Sequence, residues 1–428
     1  MVICERGPVA IYENYVGIVA EYNPLHNGHA HHINRARELA GADGAVVAIL
    51  SSYFTQRGEP ALLSPWDRAE SALSAGANLV LGLPAFFSCH NAGVFASGAV
   101  DTLAATGVVG SLSFGMEDPD FDVSSLIDIL VHEPVTFKDT LKKHLNSGFS
   151  YVKARAKALG TIDPAYERVV SSPNNSLALA YMERIRRMGH KLNCFPVRRT
   201  GGGYHDPSLP SEPKDGFFAS ATAIRRGIAE KGLEHISSAV PPGSLEVLER
   251  CMADGRFVPS TELLWRTVRA LVLRTPAADL ARYSEMGEGM ENRLLKFAED
   301  SRTWEEFIGK CVTGRYPRGR VQRQAIHLLL GVEHDDNRAL QANGPAYIRP
   351  LAADGAGLEI LRRMRKSASL PVRGKLPAAR RGAEGLLARI ELVAAGIWEG
   401  LTPSFQAGSE KRRCFFTARE CEGEETSP

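Results

Sequence analysis

Cysteine is sparse and scattered: the seven residues Cys4, Cys89, Cys194, Cys251, Cys311, Cys414 and Cys421 are odd in number and form no Cys-x-x-Cys pair. That pattern argues against a disulfide framework and fits a reducing, cytoplasmic setting. No apolar run reaches the length of a membrane span, and Met1 to Tyr15 lacks the basic-then-apolar layout of a secretory signal, so no membrane is expected. Neither sign of charge is in excess, with 51 Lys and Arg against 49 Asp and Glu. A nucleic-acid surface would therefore have to come from local clustering. No internal repeat of fixed period is visible, and 428 residues are enough for a large core and two domains.

What is present is concentrated near the start. Val16 to Ala20 is a short β-branched run that suits a buried parallel strand, and turn residues lead from it into His26-Asn27-Gly28-His29. Ala30, Ile33, Ala36 and Leu39 then recur at helical spacing, with Arg35, Arg37 and Glu38 on the wetter face. A helix beginning near Asn27 would aim its free N–H groups at the mouth of the sheet, where an anion would sit. Two imidazoles three residues apart can lie together at that entrance and stabilise charge building on nucleotide phosphates. The bare motif also fits two other readings. His26 could simply cap the helix, or His26, His29, His31 and His32 could gather zinc, although no cysteine pair or spaced carboxylate stands beside them.

Further strands are expected at Gly44–Leu50, Asn78–Leu83, Ser111–Gly115 and Leu192–Val197. Helical stretches lie between them at Pro65–Ala75, Gly93–Ala105 and Asn175–Met188. This alternation predicts right-handed βαβ units and a parallel sheet. Residues 117–170 read as a mainly helical insertion. Beyond about residue 231 the pattern turns to packed helices at Leu245–Asp254, Thr261–Leu273, Glu291–Phe297, Gly319–Leu330 and Ala383–Trp398, while 408–428 reads as a polar, disordered tail.

Several motifs now coincide in order: Glu21-Tyr-Asn-Pro-Leu-His-Asn-Gly-His29, Gln56-Arg-Gly-Glu-Pro-Ala61, Phe95-Ala-Ser-Gly-Ala-Val100, Phe114-Gly115, Pro173-Asn-Asn175, Gly203-Tyr-His-Asp206 and Ser220-Ala-Thr-Ala-Ile-Arg225. With them the chain resembles the tRNA(Met) cytidine acetate ligase family of the HIGH-motif nucleotidyltransferases. The resemblance implies a Rossmann-like, doubly wound α/β catalytic domain at 1–230 and an α-helical RNA-binding domain at 231–407. It also implies a two-step reaction. ATP and acetate would form acetyl-adenylate, and the acetyl group would pass to N4 of the wobble cytidine of elongator tRNA(Met).

By the same resemblance, His26 and His29 are the catalytic residues. Nucleotide contacts fall on Ile18, Val19, Ala20, Glu21, Tyr22, Asn23, Pro24, Leu25, His26, Asn27, Gly28, His29, Ala30 and His31, then on Gly115, Asn174 or Asn175, and Arg198 and Arg199. Each suits its task. A glycine at a strand end leaves room for the nucleoside, asparagines at a helix start can bond ribose or base, and guanidinium forks match phosphate. Ser220, Thr222 and Arg225 look like the second superfamily signature, reaching the β- and γ-phosphates from a helix start. Gly201-Gly-Gly203 is expected to hinge that region, with His205 and Asp206 read as structural. Gln56 and Arg57 are candidates for the acetate carboxylate or the RNA backbone. Magnesium is expected to travel with ATP on phosphate oxygens, without a dedicated protein cage or an obligate protein partner.

For RNA, Arg315, Arg318, Arg320 and Arg323 cluster around Tyr316, and a longer basic stretch runs from Arg362 through Arg373 and Lys375 to Arg380 and Arg381. The chain departs from the family pattern at Ser52-Tyr53 (usually Gly-Asn), Pro65 (Lys), Gly82 (Glu) and Asn91-Ala92-Gly93 (Ser-Ala-Glu). These departures keep two alternatives open: an adenylating enzyme for another small acid or metabolite, and a non-catalytic RNA-binding relative.

Overall fold

Ala45 to Ser51 is apolar at almost every position, so this segment has no wet face to offer and can be satisfied only in the middle of a covered sheet. The computed structural model, which describes residues 14–199, 218–377, 381–406 and 408–418, places it there. The strands are β1 (Tyr15–Ala20), β2 (Ala45–Ser51), β3 (Leu79–Leu83), β4 (Ser111–Met116), β5 (Asn193–Arg198), β6 (Arg349–Ala353) and β7 (Phe416–Thr417). They form one sheet in the order β5-β4-β1-β2-β3-β6-β7. The first five run parallel. Every residue of β2 is buried, and each fully buried Val, Leu or Ile contributes about 1.5–3 kcal/mol.

From β1 the chain winds one way through β2 and β3, then returns to place β4 and β5 on the other side of β1. The crevice between β1 and β4 is thus the point where the winding reverses, the place where open α/β sheets bind ligands. The helix Asn27–Ala40 leaves β1 there, and Pro65–Ser74, Ala92–Ala105 and Pro173–Met188 serve as further connections. Four short helices, Ser124–His132, Val135–Asn146, Tyr151–Gly160 and Pro164–Ser171, fill the expected insertion.

The C-terminal part is mainly helical, as expected, and it also lends two strands to the sheet: β6 pairs antiparallel with β3 and β7 pairs parallel with β6. One expectation needs correction: the start of the tail is not structureless, since Ser409–Arg412 is a helical turn whose Glu410 is 2 % exposed. Both features have one cause. β6 opens on Arg349, which is buried because it forms an ion pair with Glu410, and Glu410 also accepts from the Tyr53 hydroxyl and from Trp66 Nε1 at 2.8 Å. Composition sees only two charged residues where the fold sees partners. A continuous group of buried apolar side chains joins Val47 and Leu81 of the sheet to Trp265, Phe307 and Trp398 of the later helices. Among the described residues no helix is long and apolar enough to cross a membrane.

Candidate active site

His26 is the N-cap of Asn27–Ala40. Its extended backbone turns the ring back over the first turn, where Nδ1 accepts the Gly28 N–H at 3.1 Å. His29 closes the reciprocal bond, its Nδ1 accepting the His26 N–H at 3.4 Å. The two rings stack with centroids 3.8 Å apart, and Tyr22 meets His29 edge-on. Capping and site-building therefore use the same two nitrogens. With Nδ1 an acceptor on each neutral ring, the proton lies on Nε2, leaving each ring with one N–H to donate. Burial, reinforced by Arg199 and Arg225, lowers His26 to about 3. Burial followed by the His26, Arg199 and His32 charges holds His29 well below its ordinary range. Both are neutral donors at pH 7.

These rings stand on the wall of a cavity of about 350 Å³ at the β1/β4 crevice. Of the residues expected at a nucleotide, Val19, Ala20, Glu21, Tyr22, Asn23, His26, Gly28, His29, His31, Gly115, Asn174, Arg198, Arg199, Ser220, Thr222 and Arg225 line it, as do Gln56 and Arg57. Ile18, Pro24, Leu25, Asn27, Ala30 and Asn175 do not. Ile18 and Leu25 are core residues, and Asn27 donates to the Ser238 carbonyl at 2.8 Å. Asn175 is buried, accepting the Glu117 N–H at 2.9 Å, so it shapes the strand end while Asn174 faces the cavity and accepts from Arg199 at 2.9 Å. A Cβ on Gly115 would lie 3.2 Å from the Arg199 side chain, which is the close approach that favours glycine there.

Ser220 caps the helix Ala221–Lys231 by accepting the Ala223 N–H at 3.1 Å. Arg225 spans to the β1 loop, donating to the Asn23 carbonyl at 2.7 Å and pairing with Glu59 at 3.6 Å. The glycine hinge at 201–203, His205 and Asp206 lie outside the described residues. His32, which the sequence offered only as a zinc ligand, also lines the cavity; its Nε2 lies 3.1 Å from Ser113 Oγ, and burial, with His31 and Arg199, lowers it to about 4. Sequence reasoning missed Thr55, Phe95, Phe114 and Tyr181 on the apolar wall. Phe95 and Phe114 lay inside quoted motifs, so their positions were available as a signal. Behind the wall Arg68 spends its guanidinium on carbonyls of Leu63, Glu21, Ser51 and Ser52 and on the Ser51 hydroxyl, fastening the ends of β1 and β2 together.

Ser52, Pro65 and Gly82, three of the departures, line none of this cavity. They meet at a second, very small void beside Arg349 and Glu391. Asn91 caps the helix Ala92–Ala105. The four arginines grouped for RNA divide. Arg315 and Arg318 are half-exposed and paired with Glu288 and Glu305, and Arg320 stacks 4.3 Å from the Tyr316 ring centre. Arg323 is buried against Glu285. In the longer basic stretch Arg362 and Arg363 flank Glu359, Arg373 pairs with Glu384, and Arg380 lies outside the described residues. Among the described residues no three His, Cys, Asp or Glu are placed to hold a metal ion.

Residues 13–412 match the family model described as HIGH Nucleotidyl Transferase. A tRNA(Met) cytidine acetate ligase of Halothermothrix orenii is 34 % identical over 368 residues, covering 83 % of this chain and 86 % of its own. One from Clostridium perfringens is 32 % identical and covers 93 % and 98 %. The crystal structure of apo Thermotoga maritima TmcAL superposes with a TM-score of 0.86 at 29 % identity, covering 94 % of this chain and all of that one. The same protein bound with alpha-thio ATP superposes with a TM-score of 0.83.

Proposed function

Because the chain belongs to the HIGH nucleotidyltransferase family, among the tRNA(Met) cytidine acetate ligases, which are ATP-using ligases, we propose that it acetylates N4 of the wobble cytidine of elongator tRNA(Met). The observation that carries this reading is the pair of neutral, stacked imidazoles at a helix N-terminus, facing a cavity whose other wall holds Arg199 and Arg225. An exocyclic cytosine amine is a poor nucleophile, so the acid must first become a mixed anhydride. An acetate oxygen attacks the α-phosphorus, the bond to the bridging oxygen breaks, and pyrophosphate leaves. His26 and His29 donate Nε2–H to the oxygens gaining charge, and the helix dipole adds to them. Arg199 and Arg225 balance the departing phosphates. The cytidine amine then attacks the acyl carbon, AMP leaves and the amine loses its proton.

In this reading Arg57, with Gln56, meets the acetate, and magnesium accompanies ATP through phosphate oxygens and water. Residues 1–230 carry the nucleotide chemistry and 231–407 the RNA, with Arg315, Arg318 and Arg320 offering charge and a stacking platform. We place the reaction in the cytoplasm. The test is incubation of purified protein with ATP, labelled acetate and total tRNA, followed by digestion. N4-acetylcytidine that disappears in His29→Ala is the expected result. ATP turnover without labelled RNA would point to another acid or acceptor, and the absence of both signals would overturn catalysis and favour a non-catalytic RNA-binding relative.

A further inference from the structure

The loop that brings Gln56 and Arg57 to the cavity does not stand alone. On the cavity side the Gln56 N–H donates to Glu21 Oε1 at 2.7 Å, and Glu59 faces Arg225. Internally, the Thr55 N–H donates to the Glu59 carbonyl and the Gly58 N–H to the Thr55 carbonyl, each at 2.9 Å. On its far side the loop lies against the helix Arg318–Leu330. Gly58 sits at φ +74°, and a Cβ there would fall 2.6 Å from the Arg323 backbone nitrogen. The two backbones are as close as glycine permits.

Side chains complete the contact. Gln322 Nε2 donates to Glu59 Oε1 and Arg323 Nη1 to the Gln56 carbonyl, each at 3.4 Å. Arg323 is itself held by Glu285 at 3.3 Å, and both side chains are 13 % exposed. Glu285 adopts left-handed backbone at φ 63°, uncommon for a residue with a side chain, and its carbonyl accepts Gln324 Nε2 at 2.6 Å. Against the penalty of burial, the Arg323 charge holds the Glu285 carboxyl at about 2, so the pair is ionised at any working pH.

We propose that Arg323 is a positioning residue for the carboxylate subsite: anchored by Glu285, it fixes the Gln56 carbonyl and so sets the loop that presents Arg57 to the acid. It rests on the reading above that Arg57 meets the acid. The ATP phosphates are held from the helix starts at His26 and Ser220, and the loop reaches that side through Glu59 and Arg225, whereas Arg323 bonds the Gln56 carbonyl, so the effect of Arg323 falls mainly on the acid.

The test measures acid-dependent exchange of pyrophosphate into ATP together with amide hydrogen exchange of the segment 53–60, using the full chain. Arg323→Gln should raise KM for acetate about tenfold while KM for ATP changes far less, and Arg323→Lys should recover part of the loss. The Thr55, Gln56 and Gly58 amides should exchange faster in Arg323→Gln by more than any change shared by amides elsewhere in the chain. Gly58→Ala, whose added Cβ presses on the Arg323 backbone, displaces the same loop while both charges of the Arg323–Glu285 pair remain, and should move acid KM in the same direction. Equal changes in both KM values, or unaltered amide exchange, would overturn the proposal. If the wild type exchanges with a different small carboxylate, the acid assignment fails while the KM split is read with that acid. If it exchanges with none, the amide exchange alone decides.

Discussion

Two polar clusters sit at opposite sides of β2, and they resolve the same problem differently. Around Arg349, charges are sealed in: Glu410 takes bonds from Tyr53 and Trp66, and Glu391 accepts from the Ser52 hydroxyl at 2.6 Å and the Ala85 N–H at 2.7 Å. Around His26 and His29, each Nδ1 is used locally while the rings face an open cavity. Density of polar residues does not mark a site. What marks it is space for a ligand beside hydrogen-bonding groups that the fold has oriented.

The sharpest way to break that comparison is to unseal the closed cluster. Arg349→Ala leaves buried carboxylates unpaired and should cost about 3–5 kcal/mol in denaturant unfolding, while Arg349→Met combined with Glu410→Leu should cost far less. A small loss in the single variant would mean that water reaches the cluster and that it is not closed. In the open cluster the consequences invert. His29→Ala should lower the acetylation rate by about 10²–10³ with stability nearly intact, because one oriented donor is removed from the reacting phosphate and little packing is lost. Equal loss of stability and activity would make the histidines structural.

The five parallel strands were legible to within a residue or so, β1 to β3 because they are largely apolar runs between turn residues and β4 and β5 because each follows a helical stretch in the same alternation, and the histidine pair because its glycine and its place after β1 are local signals. β6 was not legible: it is short, begins with arginine, and is buried only through residues far along the chain. The departures at Ser52, Pro65 and Gly82 looked dangerous because sequence gives no distance between the ends of β2 and β3 and the nucleotide; the fold turns them toward Arg349 and Glu391. Asn174 and Asn175 show the same limit at finer scale. Neighbours on one helix start divide between the cavity and a buried contact with the end of β4, a matter of rotation that periodicity alone does not settle.

The clusters should also differ in the sign of their pH dependence. Burial raises Glu391 to about 7 from 4.5, so the folded state binds the extra proton between those values and stability falls as pH rises through that window. Glu391→Gln should abolish that slope, so that its stability relative to wild type rises with pH through that window. His26 and His32 are lowered to about 3 and about 4, so the unfolded state binds more protons below pH 6.5 and stability falls as pH drops from there toward those values. Unfolding followed from pH 4 to 9 in wild type, Glu391→Gln and His26→Asn separates the two slopes. A single shared slope would mean that the clusters titrate as one.

The smallest effect is expected on the helix Arg318–Leu330, which carries both kinds of arginine. Arg318 makes a two-oxygen pair with Glu305, yet the side chains are 44 % and 66 % exposed, so water screens the pair. Arg318→Ala should change stability by less than about 1 kcal/mol. If this face binds RNA, the same substitution should reduce the salt dependence of tRNA binding by about one unit of slope, since one phosphate contact releases one counterion. Arg323→Gln, on the same helix but buried, should leave that slope alone and act on the acid instead. A change of salt slope in Arg323→Gln as large as in Arg318→Ala would show that the helix moves as one body on the RNA, and the division between an exposed, RNA-facing arginine and a buried, loop-holding one would fall.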